Sequence, residues 1–259
     1  MDLGIKGRRA IVCGASKGLG RGCAEALAAD GVDLVIAART AGTLRATAEA
    51  IGAQYGVEVI AVACDVTTPE GRAELLAACP APDILITNAG GPPPGDFRDF
   101  TLDDWRKAVE GNMLTPIALI HDTVYGMVER GFGRIVNITS ASVRAPIPTL
   151  ELSNGARAGL TGAVASLARK VARHNVTINN ALPGGHDTDR LRGSMRIAAE
   201  KEGVDVDTIL SQRAKETPAG RFGTSAEFGA ACAFLCSAQA GFITGQNLVI
   251  DGGAFNATM

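Results

Sequence analysis

A β-forming run, Arg9-Ala10-Ile11-Val12-Cys13, breaks at Gly14-Ala15-Ser16-Lys17-Gly18-Leu19-Gly20 and opens directly onto an Ala/Leu-rich helical pattern. A backbone that turns from strand to helix over glycines presents unsatisfied N–H groups at the positive end of the helix dipole. That is an anion site. Glycines are needed because a Cβ would obstruct both a phosphate and the close approach of helix to sheet. Gly14, Ser16, Lys17, Gly18, Leu19 and Gly20 are therefore candidate ligands of a dinucleotide pyrophosphate. The same residues also fit G-x-S-x-G, the elbow that carries a nucleophilic serine in α/β-hydrolases. Two features weaken that alternative: the motif follows the first strand of the chain, and no Asp and His mark partners downstream in the required order.

Beyond the turn, short apolar runs alternate with longer helical ones. The runs at 8–13, 33–38, 57–63, 83–87, 133–139, 175–181 and 247–250 read as strands, and the patterns at 18–30, 41–55, 68–78, 103–130, 152–173 and 225–237 as helices. Several strands are continuously apolar (Leu34-Val35-Ile36-Ala37, Ile84-Leu85-Ile86), as suits a parallel sheet covered on both faces. Right-handed crossovers then give an α/β fold, a doubly wound sheet of about seven parallel strands between two helix layers, with its ligand at the carboxyl ends of the strands. No linker divides residues 1–259, so one domain is expected. The polar, charged segment at about 186–222 carries no strand signal and reads as a mobile substrate lid over the crevice.

The net charge of −2 argues against nucleic acid or an anionic membrane as a partner. No signal-like run opens the chain and no apolar run is long enough to span a bilayer. The six cysteines form no C-x-x-C pair and read as small buried residues in a reducing compartment, the cytoplasm. No metal-ligand spacing is present.

The second strand ends Ala37-Ala38-Arg39-Thr40. An acidic residue in this position bonds the adenosine ribose hydroxyl and repels a 2′-phosphate. Here Ala38 and Arg39 follow instead, and Lys17 is expected to project toward the same place. Two cations without a carboxylate favour NADP(H) over NAD(H).

Taken together, Gly14-x3-Gly18-x-Gly20, Cys64-Asp65-Val66, Asn88-Ala89-Gly90, Asn112, Arg134 to Ser140, Pro183-Gly184-x3-Thr188 and Ile243-Thr244-Gly245 with Asp251-Gly252-Gly253 make the chain resemble the short-chain dehydrogenase/reductases. The likeness is to 3-oxoacyl-carrier-protein reductase-like members, runs over essentially the whole length, and implies a Rossmann-type fold. It also implies that Asp65 and Val66 contact the adenine, that Asn88, Ala89 and Gly90 pack along the cofactor, and that Thr188, after Pro183 and Gly184, holds the nicotinamide carboxamide. A homodimer or homotetramer assembled through the long helices is a further implication.

The family's catalytic set is an Asn, a Ser and a Tyr-x-x-x-Lys pair on one helix. Asn112 and Ser140 match. Aligning Ala158-Gly159-Leu160 with the family's usual ending puts Ser153 at the tyrosine and Arg157 at the lysine, still i and i+4 on one helix face. A phenol starts near pKa ~10 and a nearby cation brings it toward neutrality, whereas an aliphatic hydroxyl is a much weaker acid. Arg157 keeps the positive charge and can grip ribose hydroxyls. Tyr55 and Tyr125 lie too far along their helices to replace the phenol, and read as packing residues. His186, in the loop expected beside the nicotinamide, could relay a proton together with Ser153, or could be a plain loop residue. Two functions follow: an NADP(H)-dependent oxidoreductase acting on a carbonyl/alcohol pair, with Ser140, Asn112, Ser153, Arg157 and His186 at its centre, or a catalytically weakened cofactor-binding protein acting as a sensor or partner subunit.

Overall fold

All seven strands lie in one parallel sheet, in the order β3-β2-β1-β4-β5-β6-β7. The computed structural model describes residues 2–257. Its elements are β1 (Arg9–Cys13), α1 (Gly18–Ala29), β2 (Asp33–Ala38), α2 (Ala41–Tyr55), β3 (Val59–Ala63), α3 (Pro69–Ala78), β4 (Ile84–Thr87), α4 (Leu102–Val109), α5 (Thr115–Arg130), β5 (Gly133–Ile138), α6 (Glu151–Val171), β6 (Val176–Pro183), α7 (Asp189–Glu202), α8 (Val206–Glu216), α9 (Ser225–Cys236) and β7 (Asn247–Ile250).

The alternation of side chains along each strand sends every second residue to the opposite face. Val12, Ile36, Ile84 and Ile86 pack under α1, α2 and α9, while Ile11, Cys13, Val35, Leu85 and Ile135 pack under α3, α5 and α6. The central strands are buried on both faces, which explains why they read as continuous apolar runs. α1 and α9 cross closely: a Cβ on Gly22 would overlap the Ser225 carbonyl, and one on Gly229 would overlap the Gly22 carbonyl. The strand order reverses between β1 and β4, so their carboxyl ends flank the crevice where such sheets bind ligands.

Two segments depart from the sequence reading. The pattern at 103–130 is not one helix: a π-helical turn, Glu110–Leu114, separates α4 from α5. Pro116 has no N–H to donate to the carbonyl of Asn112 four residues back, and the Thr115 N–H donates to the carbonyl of Glu110, five back. The segment 186–222, expected to be a polar lid without strand signal and given no helix, folds into α7 and α8. Thr188 caps α7 by accepting from Leu191 N at 3.3 Å, and Asp205 caps α8 by accepting from Asp207 N at 2.8 Å. Ala199 and Ile209 are the buried anchors of this otherwise polar pair.

Candidate active site

The glycine turn supplies the first wall of the crevice. Gly14 and Gly18 adopt φ of 61° and 60°, a region that disfavours any side chain. A Cβ on Gly20 would overlap the Gly14 carbonyl, and the Asn88 amide donates to that carbonyl at 3.5 Å. Lys17, the extended residue just before α1, places no side chain on the helix's first N–H groups, and none other caps them. Those donors, free at the positive end of a 12-residue helix, fit an anionic phosphate. The Ser16 carbonyl is tied down by the Thr47 hydroxyl at 3.0 Å, and Leu19 packs into the core beneath.

The strand ends beside the turn carry the other expected cofactor contacts. Asp65 Oδ1 accepts from the backbone N–H and hydroxyl of Thr67 at 3.0 and 2.8 Å, which holds its carboxyl below the usual range; the Arg39 charge adds to this. Val66, Asn88 and Ala89 are half-buried, and a Cβ on Gly90 would meet nothing within 4 Å. Gly184, after Pro183, is obligatory because a Cβ there would collide with Asp251. The Thr188 side chain lies within 3.8 Å of where a Gly18 Cβ would project, so the start of α7 meets the glycine turn.

Lys17 departs from expectation. Its ammonium pairs with Asp189 at 3.0 Å, across the crevice, instead of joining Arg39. Arg39 is exposed and has no ion pair among the described residues.

Ser153 and Arg157 do share one face of α6, both buried. Arg157 Nε donates to Ser153 Oγ at 3.2 Å, and its Nη1 donates to the carbonyl of Ile138 at 2.8 Å, which ties α6 to the end of β5. Burial, with the Arg190 charge adding to it, pushes the Arg157 guanidinium down to about 10. It therefore keeps its charge at neutral pH. Two residues past Ile138, Ser140 Oγ accepts from Ser142 N at 3.1 Å, leaving its own proton for another acceptor. Asn112 sits on the π turn; its amide donates to Ala108 O at 3.3 Å and Gly90 O at 3.5 Å, while its buried Oδ1 has no partner among the described residues.

His186 is placed otherwise than expected. Its ring lies edge-on to Phe228 at 5.3 Å, Nδ1 approaches the Gly184 carbonyl at 3.3 Å, and it pairs with Gly223 in a short parallel bridge. A Cβ on Gly223 would stand 2.8 Å from Nε2. Both ring nitrogens thus face backbone, and burial lowers the pKa below its ordinary 6.5. The ring is packed against Phe228 and backbone, with no side-chain hydrogen-bond partner among the described residues. The unfolded chain takes up a proton at position 186 below pH 6.5 while the folded chain resists it, so stability falls as pH drops through that range. Thermal melts at pH 7.5 and 5.5 should therefore show a larger fall for the native chain than for His186→Gln, by about 2–4 °C for each kcal/mol involved. Equal falls would remove the argument.

Tyr55 packs at the edge of the core as expected, but Tyr125 is 60% exposed on α5, beside an apolar groove shared with α6. Neither phenol belongs to the site. On α7, Arg190 donates to Gly91 O at 3.0 Å and Pro92 O at 3.1 Å, while Arg192 pairs with Asp187 at 2.7 Å. No group of three or more metal-ligating side chains occurs among the described residues.

Residues 14–254 match the family model described as enoyl-(acyl carrier protein) reductase. The chain is 31% identical over 261 residues to a 3-oxoacyl-(acyl-carrier-protein) reductase of Aquifex aeolicus, covering 98% of this chain and 100% of the relative. It is 30% identical to the NADPH-dependent reductase BacG of Bacillus subtilis, with 96% and 98% covered. In structure it superposes on the L-sorbose reductase of Gluconobacter frateurii, solved with NADPH and L-sorbose, at a TM-score of 0.94 and 29% identity, over 99% of this chain and 100% of that one.

Proposed function

The chain belongs to the short-chain dehydrogenase/reductase family and is an oxidoreductase of that type, and on that premise we propose that it reduces a carbonyl substrate with NADPH through a Ser153–Arg157 pair. The hydrogen bond from the buried Arg157 guanidinium to Ser153 Oγ carries this reading. The oxidoreductase descriptions of the relatives favour catalysis over a sensor or partner-subunit role.

The glycine turn, Asp65, Val66, Asn88 to Gly90, Pro183, Gly184 and Thr188 would hold the dinucleotide, and Arg157 its nicotinamide ribose. The bound cofactor supplies a hydride. As the substrate's C=O π bond opens, negative charge gathers on its oxygen. Arg157 stabilises that charge and polarises the Ser153 hydroxyl, which passes a proton to the oxygen and recovers one from water. Ser140 donates to the same oxygen, and Asn112 orders water through its unpartnered Oδ1. Residues 1–259 would act as one unit, with 186–222 as the substrate lid. The apolar groove between α5 and α6, edged by Tyr125, suits association with a second copy of the chain. Six free, buried cysteines fit a reducing compartment such as the cytoplasm, and no helix of the described residues is long and apolar enough to cross a membrane.

NADPH and NADH titrations followed by fluorescence, with turnover on a ketone and oxoacyl panel, test the proposal. Tight NADPH binding with no turnover on any of them would return the sensor reading. A preference for NADPH rests on Arg39, so Arg39→Asp should lower NADPH affinity by about tenfold or more and raise that for NADH. An unchanged affinity ratio would remove that preference.

A further inference from the structure

Lys17 has two places to put its charge. The residues just before it are fixed to the β2 side: Ala15 N donates to the carbonyl of Ala37 at 3.1 Å, and the Thr47 hydroxyl, on α2, donates to that of Ser16 at 3.0 Å. Arg39 leaves the same strand end, two residues past Ala37. β1 and β2 pair with Cys13 opposite Ala37, so the glycine turn and Arg39 emerge side by side, from strands about 4.8 Å apart. The Lys17 side chain instead reaches the start of α7, where its Nζ donates to Asp189 Oδ2 at 3.0 Å.

Asp189 is held in place for that contact. Before it, Thr188 caps α7 and lies 3.6 to 3.8 Å from where a Gly18 Cβ would project. After it, Arg190 donates to Gly91 O at 3.0 Å and Pro92 O at 3.1 Å. With both neighbours anchored, the backbone sets the position of the carboxylate, and pairing costs mainly the rotamer freedom of one lysine. The other acid at this end, Asp187, is taken by two nitrogens of Arg192, each at 2.7 Å. Arg39 has no ion pair among the described residues.

We propose that Asp189 is a positioning residue for Lys17 and thereby sets the preference between NADPH and NADH. Its carboxylate competes with the 2′-phosphate for the lysine, and keeps the preference below what Lys17 and Arg39 would give together. The inference rests on the NADPH reading above, in which Arg39 receives that phosphate. NADH carries no 2′-phosphate, so a released Lys17 adds nothing to its binding. The side chains of Lys17 and Asp189 are 67% and 72% exposed, which limits the competition to about two- to fivefold in affinity.

The test measures the affinities of NADP+ and NAD+, and of the fragments 2′,5′-ADP and 5′-AMP, by calorimetry at low ionic strength, where exposed charges count most. The fragments lack the nicotinamide, so any shift of Thr188 leaves them untouched. Asp189→Asn should raise the ratio of NADP+ to NAD+ affinity, and that of 2′,5′-ADP to 5′-AMP, by about two- to fivefold. In a Lys17→Met background the same substitution should move neither ratio, which separates competition for the lysine from the general loss of a negative charge. Asp189→Glu keeps the carboxylate and should stay near the native ratios. The proposal is overturned if Asp189→Asn leaves the ratios in place, if it raises them as much without Lys17 as with it, or if Asp189→Glu behaves as Asp189→Asn does. An unchanged ratio in Arg39→Asp would overturn the Arg39 reading, while the Lys17 comparison still decides this one. Failure of the native chain to bind either dinucleotide would overturn the cofactor reading and this proposal together.

Discussion

Arg157→Met should lower kcat by about 10²–10³ while leaving the protein folded, the loss usual when one donor to a developing oxyanion is removed. The unbranched methionine fills most of the space. What disappears is a buried positive charge and two hydrogen bonds, to Ser153 Oγ and to the Ile138 carbonyl. Leaving a buried carbonyl without its donor costs about 1–3 kcal/mol, but removing a buried, uncompensated charge acts the other way. The net effect on the melting temperature is therefore small, whereas the effect on the reaction is large. Arg157→Lys should fall between the two. It keeps the charge, but a single ammonium cannot bond Ser153 and Ile138 and still reach the crevice as a planar fork does. The pH profile separates this role from a structural one. With the guanidinium pushed down to about 10, native activity should hold level through neutral pH and fall as Arg157 loses its proton above that value. A tyrosine acid would titrate in the same range, but no phenol is present at the site. Full activity in Arg157→Met would make the pair a bystander and remove the mechanism.

The sheet was legible because its central strands are buried on both faces, so hydrophobicity alone marked Leu34 to Ala37 and Ile84 to Ile86. The Ser153–Arg157 contact was legible for a different reason: i, i+4 spacing on a helix brings side chains together whatever the fold around them. The π turn was not, because the helix-like spacing of apolar residues on either side of it lets 103–130 read as one helix. The one available signal was Pro116, four residues after Asn112, whose missing N–H frees that carbonyl. Helices α7 and α8 escaped notice because they bury little beyond Ala199 and Ile209, although Thr188 and Asp205 marked their caps. Lys17 shows a harder limit. Its partner, Asp189, lies 172 residues away and meets it only because the start of α7 crosses the glycine turn. The burial of His186 was hidden for the same reason: Gly184-Gly185 suggested an open loop, and the ring that covers it, Phe228, belongs to α9.

Gly20→Ala should weaken NADPH binding by about a hundredfold or more and lower the melting temperature by several degrees, though it adds one methyl group. That methyl would overlap the Gly14 carbonyl oxygen and sit 2.8 Å from Gly14 C and 2.9 Å from Asn88 Nδ2. Either the turn opens or α1 backs away from β1. Backing away is blocked, because α1 is already in backbone contact with α9 through Gly22, Ser225 and Gly229. The strain must therefore appear in the turn itself, where the first N–H groups of α1 lose their common aim on a phosphate. Overpacking a tight contact costs about 1–3 kcal/mol, and in a chain of this size each kcal/mol moves the melt by about 2–4 °C. Two neighbouring substitutions show whether that account is right. Gly42→Ala adds a methyl with nothing within 4 Å, in the first turn of α2, and should leave affinity unchanged while holding or slightly raising the melt. Gly90→Ala also meets no protein atom within 4 Å, so its melt should hold; any loss of NADPH affinity there reports the cofactor lying against that backbone. If Gly20→Ala binds NADPH like the native chain, the turn is not the phosphate cradle, and the dinucleotide must be sought elsewhere on the sheet.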